Sequence, residues 1–283
     1  MSERDYDLIR RMIEKPNQNN TELMNKRLKS FRKSNDFIQK FITKMDRFEL
    51  KLADYIMANA YYAEDSPLEY TFSISDFCKV AGISDSGNNY ENIKSAIRKM
   101  RAKAEWAKCP DGSGDEVLVG MISKAIISKR KGTVHLWLDE DMRRFVFEAK
   151  KAWEEKGIPY SKFLLLYMLP LKSRYARLLY ELLKSWETGG ERWFTISQLQ
   201  EYLGSNYDRY PDFRRYALDI AVDQINQYTD IGVTYEPIKE GRSYKYIMFY
   251  IRTKSNKELL EVKYSNQKEL DGQMSFDDYK TGE

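Results

Sequence analysis

The sequence predicts an α+β, mainly helical chain built as two tandem winged-helix domains, each a helix-turn-helix followed by a β-hairpin wing. Three observations predict it. Thr71-Phe-Ser-Ile-Ser-Asp-Phe returns as Trp193-Phe-Thr-Ile-Ser-Gln-Leu, and Phe72, Ile74, Phe77 and Gly82 meet Phe194, Ile196, Leu199 and Gly204 at a constant offset of 122 residues. An amphipathic helix pattern precedes each copy, and a basic helix followed by a two-strand pattern succeeds it. The length, 283 residues, suits two domains, each of roughly 100–150 residues.

The elements follow in order. Residues 1–33 are polar and mixed in charge and read as an N-terminal extension, with Pro16-Asn-Gln-Asn-Asn-Thr as a loop. The first domain spans 34–150. Phe48, Leu50, Leu52, Tyr55 and Ile56 recur at helical spacing and predict its first helix. Ser75 stands where a helix N-cap belongs, since a hydroxyl there satisfies an unpaired amide of the first turn. Tyr90–Lys103 is a basic amphipathic helix with Ile93, Ile97 and Met100 on its buried side. Lys108-Cys-Pro-Asp-Gly-Ser-Gly-Asp-Glu is an acidic, flexible loop, and the run from Val117 to Leu138 is a hairpin turning at Lys131-Gly132. A helical pattern over Glu140–Lys156 joins the halves.

The second domain spans 151–255. Tyr175, Leu178, Leu179, Leu182 and Leu183 predict its first helix, Ser197 its next N-cap, and Asp212–Tyr228 its long basic helix. Ile231 to Ile251 forms the second hairpin, turning at Glu240-Gly241. Residues 256–283 hold 4 Lys against 7 Asp/Glu with little apolar content, and read as a flexible acidic tail.

Composition removes much of enzyme chemistry. One His, His135, cannot build a multi-histidine metal site, and it sits in a strand pattern as a structural residue. Cys78 and Cys109 have no Cys-x-x-Cys partner, which leaves neither a zinc knuckle nor a dithiol and suits a reducing compartment. There is no Gly-x-x-x-x-Gly-Lys-Ser/Thr run and no Gly-x-Ser-x-Gly elbow. A nicking enzyme would want clustered His ligands beside its tyrosine, and those are missing. The expectation is a non-enzymatic chain with no cofactor and no metal. No apolar run is long enough to span a membrane and the N-terminus has no apolar signal core, so a cytoplasmic protein is expected. With 47 Lys+Arg against 43 Asp+Glu the net charge is only +4, so any nucleic-acid face must concentrate its basic residues.

Such a face is visible. In a helix-turn-helix the second helix enters the major groove. Phe213, Ala217, Ile220 or Ala221, and Ile225 form the apolar stripe of the second domain's long helix. Arg214 and Arg215 then fall near its exposed start, with Arg209 just before, and an Arg fork can bond guanine bidentately. Solvated arginines paired with Asp212 and Asp219 would read the same way. Lys239, Arg242 and Lys245 surround the wing tip, where cations meet phosphate or minor groove; a Lys-rich edge that blocks strand aggregation is the alternative. In the first domain Lys94, Arg98, Lys99, Arg101 and Lys103 crowd one helix, and Lys129, Arg130 and Lys131 its hairpin.

Lys162-Phe-Leu-Leu-Leu-Tyr-Met-Leu-Pro-Leu-Lys-Ser-Arg-Tyr-Ala-Arg-Leu-Leu-Tyr-Glu-Leu-Leu-Lys, Phe194-Thr-Ile-Ser-Gln-Leu, Tyr210-Pro-Asp-Phe-Arg-Arg-Tyr-Ala-Leu-Asp-Ile-Ala-Val-Asp-Gln-Ile-Asn and Lys239-Glu-Gly-Arg-Ser-Tyr resemble the iteron-binding plasmid replication initiator (Rep) family over about residues 34–252. The resemblance implies two winged-helix domains that bind double-stranded DNA at origin iterons and at an operator. It implies help in opening the origin, recruitment of host replication proteins (initiator, helicase), and copy-number control. It also implies a homodimer that represses its own gene, in equilibrium with a monomer that initiates replication. The second domain would supply the main iteron readout through Arg214 and Arg215, and the first dimerisation and auxiliary DNA contact. Arg174, at the start of the helix after Ser173, becomes a phosphate-contact candidate. A tandem winged-helix transcriptional regulator without initiation activity is the alternative. In the tail, Gly272-Gln-Met-Ser-Phe-Asp-Asp resembles the short Gln-containing peptides that dock on the bacterial sliding clamp, without their usual Leu-Phe ending.

Overall fold

Each half of the chain places its helix boundaries with side chains that satisfy the unpaired amides of a first turn. The computed structural model describes residues 21–40, 44–60, 68–84, 86–109 and 113–271. The loop up to Asn20, part of the acidic loop, and the clamp-like peptide from Gly272 lie outside the described residues. In the first half α1 (Thr21–Arg27), β1 (Ser30–Ser34), α2 (Asn35–Lys40) and α3 (Arg47–Asn59) are followed by β2 (Glu69–Ser73), α4 (Ile74–Ala81) and α5 (Asn89–Ala102). Then come β3 (Ala104–Lys108), β4 (Glu116–Gly120), β5 (Ile122–Ser128) and β6 (Thr133–Leu138). A π turn (Arg143–Phe147) and α6 (Ala149–Lys156) lead to β7 (Tyr160–Leu164) and α7 (Leu165–Met168).

The second half repeats the plan with α8 (Arg174–Lys184), β8 (Glu191–Thr195) and α9 (Ile196–Leu203). Its long helix is continuous through α10 (Tyr210–Phe213), a π turn (Arg214–Leu218) and α11 (Asp219–Tyr228). The wing is β9 (Ile231–Glu240) and β10 (Ser243–Thr253), and α12 (Asn256–Asp271) closes the described chain. Sheets β2-β6-β5 and β8-β10-β9 have the same antiparallel order, as copies of one unit should.

The repeat is physical. Both α4 and α9 are eight residues long, start directly from a strand, and end on a left-handed glycine, Gly82 at φ 65° and Gly204 at φ 62°. Their N-caps are Ser73, which accepts from the Asp76 amide, and Thr195, which makes a capping box with Gln198. Ser75 and Ser197, the expected caps, lie inside the first turn instead. The extended backbone of the preceding strand runs on into the cap position, so the helix starts two residues earlier. The first half also contains more than one hairpin: β4 pairs with β3, and the wing is β5 with β6 alone.

Two departures concern the ends. Part of the expected N-terminal extension is structural, because β1 pairs with β7 along Ser30↔Leu164 to Ser34↔Tyr160. That pairing also draws a segment from beyond the 150/151 boundary onto the first half. Residues 256–271 form a helix where a tail was expected, because Val262, Asn266 and Leu270, four residues apart, are buried along one side. Ser255-x-x-Glu258 is its capping box: the Ser255 amide donates to Glu258 Oε2 at 2.8 Å.

Two polar clusters join the halves. Lys33 on β1 donates to Asp54 on α3 at 2.9 Å and to Glu181 on α8 at 2.7 Å, and Arg177 on α8 donates to Asp54 at 2.7 Å. All four side chains are fully buried. Burial opposes the charge on Lys33, but Asp54 and Glu181 outweigh it and hold its pKa above the ordinary lysine value. On the other side α12 acts as a clasp. Asn266 donates to Leu166 O at 3.0 Å and to Tyr228 O at 2.7 Å, Lys172 pairs with Glu269 at 2.6 Å, and Arg27 with Asp271 at 2.8 Å. Gly82 makes the contact possible: a Cβ there would lie 2.7 Å from the Leu270 carbonyl oxygen.

Removing one partner from a buried ion cluster leaves the others uncompensated. Asp54→Ala should therefore destabilise the fold by about 3–5 kcal/mol, read as a lower denaturant midpoint. The α12 cap has a pH signature. Hydrogen bonding to Arg252, then to the Ser255 amide and hydroxyl, holds Glu258 at about 2 against an ordinary 4.5. A depressed carboxylate stabilises the fold fully above about 4.5, and that contribution is lost as the pH falls toward 2. Glu258→Gln should remove part of this acid sensitivity; identical midpoints-versus-pH curves for both proteins in that window would contradict it.

Candidate nucleic-acid interface

The long helix of the second half has one face in the core. Phe213, Ala217, Leu218, Ala221, Val222, Ile225 and Tyr228 are buried. The π turn adds one residue to the first full turn, so burial falls on 217–218 and then on 221–222. It resolves the open choice in the stripe: Ala221 faces in and Ile220 faces out. The exposed face consequently shows Arg214, Arg215, Tyr216, Ile220 and Asp223.

These side chains are not equivalent. The Asp212 and Asp219 carboxylates pair with Arg209 at 2.8 Å and with Arg214 at 3.4 Å, so neither expected aspartate is taken up by Arg215. Asp219 also accepts from the Tyr235 hydroxyl of β9 at 2.5 Å, so the wing strand fixes the acid that orients Arg214. Tyr235 and Asp219 together raise the Arg214 pKa above its ordinary value. Arg215 lies over the Tyr216 ring at 5.4 Å, and that ring stacks on Tyr207 at 6.4 Å with 20° between planes. The guanidinium is supported from behind and keeps its hydrogen-bonding edge.

The wing sits beside this helix. Tyr244 of β10 packs on Tyr210 at 4.7 Å, and Lys239 lies over Tyr244 at 4.9 Å. Arg242 is exposed next to the turn glycine Gly241, at φ 65°. Lys245 pairs with Glu240 across the tip, so a phosphate would have to displace that carboxylate. Arg209, Arg214, Arg215, Lys239, Arg242 and Lys245 thus lie on one helix start and one wing.

Arg174 is elsewhere. Its guanidinium donates to Met45 O at 2.9 Å and to Leu203 O, and packs against Gly204. This arginine joins the loop before α3 to the end of α9; its donors face protein carbonyls, not a phosphate. The segment pattern around Ser173 showed a helix start, while this long-range partner lay beyond any local signal.

In the first half, α5 buries Ile93, Ala96, Ile97 and Met100. Lys99 and Lys103 reach back to Asp46 at 2.9 Å and Glu49 at 2.5 Å, at the start of α3. Two of its five cations therefore hold helix to helix. Lys94 lies 5.7 Å over the Tyr90 ring and Lys129 of the β5–β6 turn 6.0 Å over the same ring, so helix and wing tip converge on Tyr90. Arg98, Arg101, Arg130 and Lys131 are exposed around them. Tyr90, Tyr207, Tyr216 and Tyr235 were not singled out from sequence; their spacing from the arginines on adjoining elements was the missing information.

Among the described residues no group of three or more His, Cys, Asp or Glu could hold a metal ion, and no helix is long and apolar enough to cross a membrane. His135 meets Thr71 Oγ1 at 2.5 Å and Glu69 at 3.3 Å on its own sheet.

Comparison with known proteins agrees with this architecture. Residues 30–184 match the family described as Initiator Replication protein, WH1, and residues 195–251 the one described as Initiator Rep protein, WH2. The crystal structure of the Pi initiator protein in complex with iteron DNA superposes with a TM-score of 0.65 at 18% identity, covering 81% of this chain and 99% of that one. A selenomethionine structure of domains 2 and 3 of RctB aligns weakly, with a TM-score of 0.43 at 12% identity over 75% of this chain and 82% of that one. No curated protein matches the sequence. The two family matches together span both halves of the fold, and the chain belongs to the initiator Rep family of tandem winged-helix replication proteins.

Proposed function

We propose that this chain is a plasmid replication initiator that binds iteron repeats in double-stranded DNA at its origin and works by binding rather than by catalysis. One observation carries the reading most directly. The long helix of the second half presents Arg215 on a braced Tyr216, with Arg214 oriented by Asp219, while the wing of the same domain packs against the helix start. A helix and wing so arranged suit a major groove and the flanking backbone. The Pi initiator, which shares this fold, was crystallised with iteron DNA.

In this reading the second domain, taken as 151–255, reads the iteron. The first, taken as 34–150, adds phosphate contacts through Lys94, Arg98 and the Lys129–Lys131 turn, and supplies the homodimer surface. The bound monomers promote origin opening and recruit host replication proteins, and the dimer represses the gene. The decisive experiment is replication of a test plasmid carrying the DNA that flanks the gene, in which this reading expects tandem repeats. Binding without replication would leave a transcriptional regulator instead.

Arg215→Ala should weaken binding to the cognate repeat by about 1–3 kcal/mol and random duplex far less. Equal losses on both duplexes in a gel-shift titration would make Arg215 a phosphate contact. Replacing Arg130 and Lys131 by Ala should instead weaken both duplexes alike. The salt dependence, plotted as log K against log salt, should become shallower by about 0.9 per phosphate contact removed.

A further inference from the structure

Ile220 is a large aliphatic side chain that the core does not take up. It is 41% exposed in the middle of the outer face of the long helix, one turn beyond Tyr216, itself 49% exposed. Tyr216 has a visible task, since Tyr207 stacks behind it and Arg215 lies over it. Ile220 belongs neither to the core nor to the side chains packed on its border. Single exposed aliphatics are common on protein surfaces. This one stands between arginines and an exposed aspartate, on the exposed side of the helix, while its neighbour Ala221 faces the core. When the core covers one side of this helix and DNA the other, Ile220 lies against the floor of the groove.

An isoleucine can neither donate nor accept a hydrogen bond. On the floor of the major groove the apolar group available to it is the C5-methyl of thymine. We propose, building on the reading of the long helix as the base-reading element, that Ile220 is a specificity residue that recognises a thymine methyl. Five residues separate it from Arg215. At a rise of about 1.5 Å per residue the two side chains start about 7 Å apart along the helix, roughly two base steps. The thymine therefore lies within about three base pairs of the base that Arg215 contacts. The arginines then select guanine by hydrogen bonds and Ile220 selects thymine by packing, and together they separate sequences that share only one of the two features.

The test uses the full chain and a duplex that it selects from a randomised pool. Each thymine of that duplex is changed singly to deoxyuridine, which removes the methyl and nothing else. For the unaltered protein, one such change near the Arg215-sensitive base pair should weaken binding about fourfold, the value of one buried methyl-sized group. Ile220→Ala, at an exposed position and with an unchanged melting temperature, should bind the thymine duplex more weakly by a similar factor. It should be indifferent to deoxyuridine at that one position. Ile220→Ala responding as the parent does at every thymine, or no thymine being sensitive in the parent, overturns the inference while leaving sequence-specific binding intact. Failure to select any duplex overturns the parent reading and this inference together.

Discussion

Lys33 is a charge with no access to water, and its two carboxylate partners come from different halves of the chain. Asp54 sits on α3 of the first half and Glu181 on α8 of the second, and Arg177 closes the cluster by binding Asp54 and the Met168 carbonyl. A buried ion must keep its partners within hydrogen-bond distance or lose the compensation for its own desolvation. The relative position of β1, α3, α7 and α8 is therefore narrowly set. Much of the second half follows from α8, because α11 packs along it and Arg174 at its start reaches the end of α9. The angle at which the long helix leaves the body is thus anchored in a polar cluster that includes none of the arginines on its exposed face.

The α12 clasp supports the same geometry from the opposite side. Asn266 satisfies the last carbonyl of the long helix at Tyr228, and about a turn and a half further along α12 Asp271 pairs with Arg27. Arg27 in turn donates to Lys79 O and Val80 O at the end of α4. The end of α4, the first helix of the helix-turn-helix in one half, is thereby connected through a few hydrogen bonds to the end of the long helix in the other. Both α12 and α1 lie outside the segments matched to the initiator domains, at 30–184 and 195–251.

What the sequence made legible was local. The 122-residue repeat, the glycines that end α4 and α9, the hairpin turns and the inward stripes of α3, α5 and α8 all depend on neighbours within a few residues, and all reappear in the structure. The features hidden from it depend on partners far along the chain. The strand pairing of Ser30–Ser34 with Tyr160–Leu164 is one. The inward turn of Arg174 and the burial of three side chains on α12 are others. For the candidate site, the sequence placed a cluster of arginines and lysines on one helix start and one wing, and the structure brings those two elements together. It could not sort them, because Lys99, Lys103 and Arg174 look as available as Arg98 or Arg215 until their partners are seen. The π turn is a subtler case: one inserted residue decides whether Ile220 or Ala221 faces the core.

The composition of the outer helix face bears on how such a protein separates affinity from specificity. A net charge of +4 is too small for the chain to hold DNA by its overall field. The cations that can meet phosphate are concentrated at two wing turns and at the exposed side of α5, and each phosphate they neutralise strengthens binding to any sequence equally. The long helix follows another rule. Arg215, Tyr216, Ile220 and Asp223 form a face that is part cationic, part aromatic, part aliphatic and part anionic. An aspartate there weakens attraction to the backbone, and an isoleucine adds nothing to it. Such a face gains only where each group meets a complementary base edge, so its contribution vanishes on random DNA. In the proposed reading the wings can be moderate in charge without loss of discrimination, because the helix would reject wrong sites instead of merely favouring the right one.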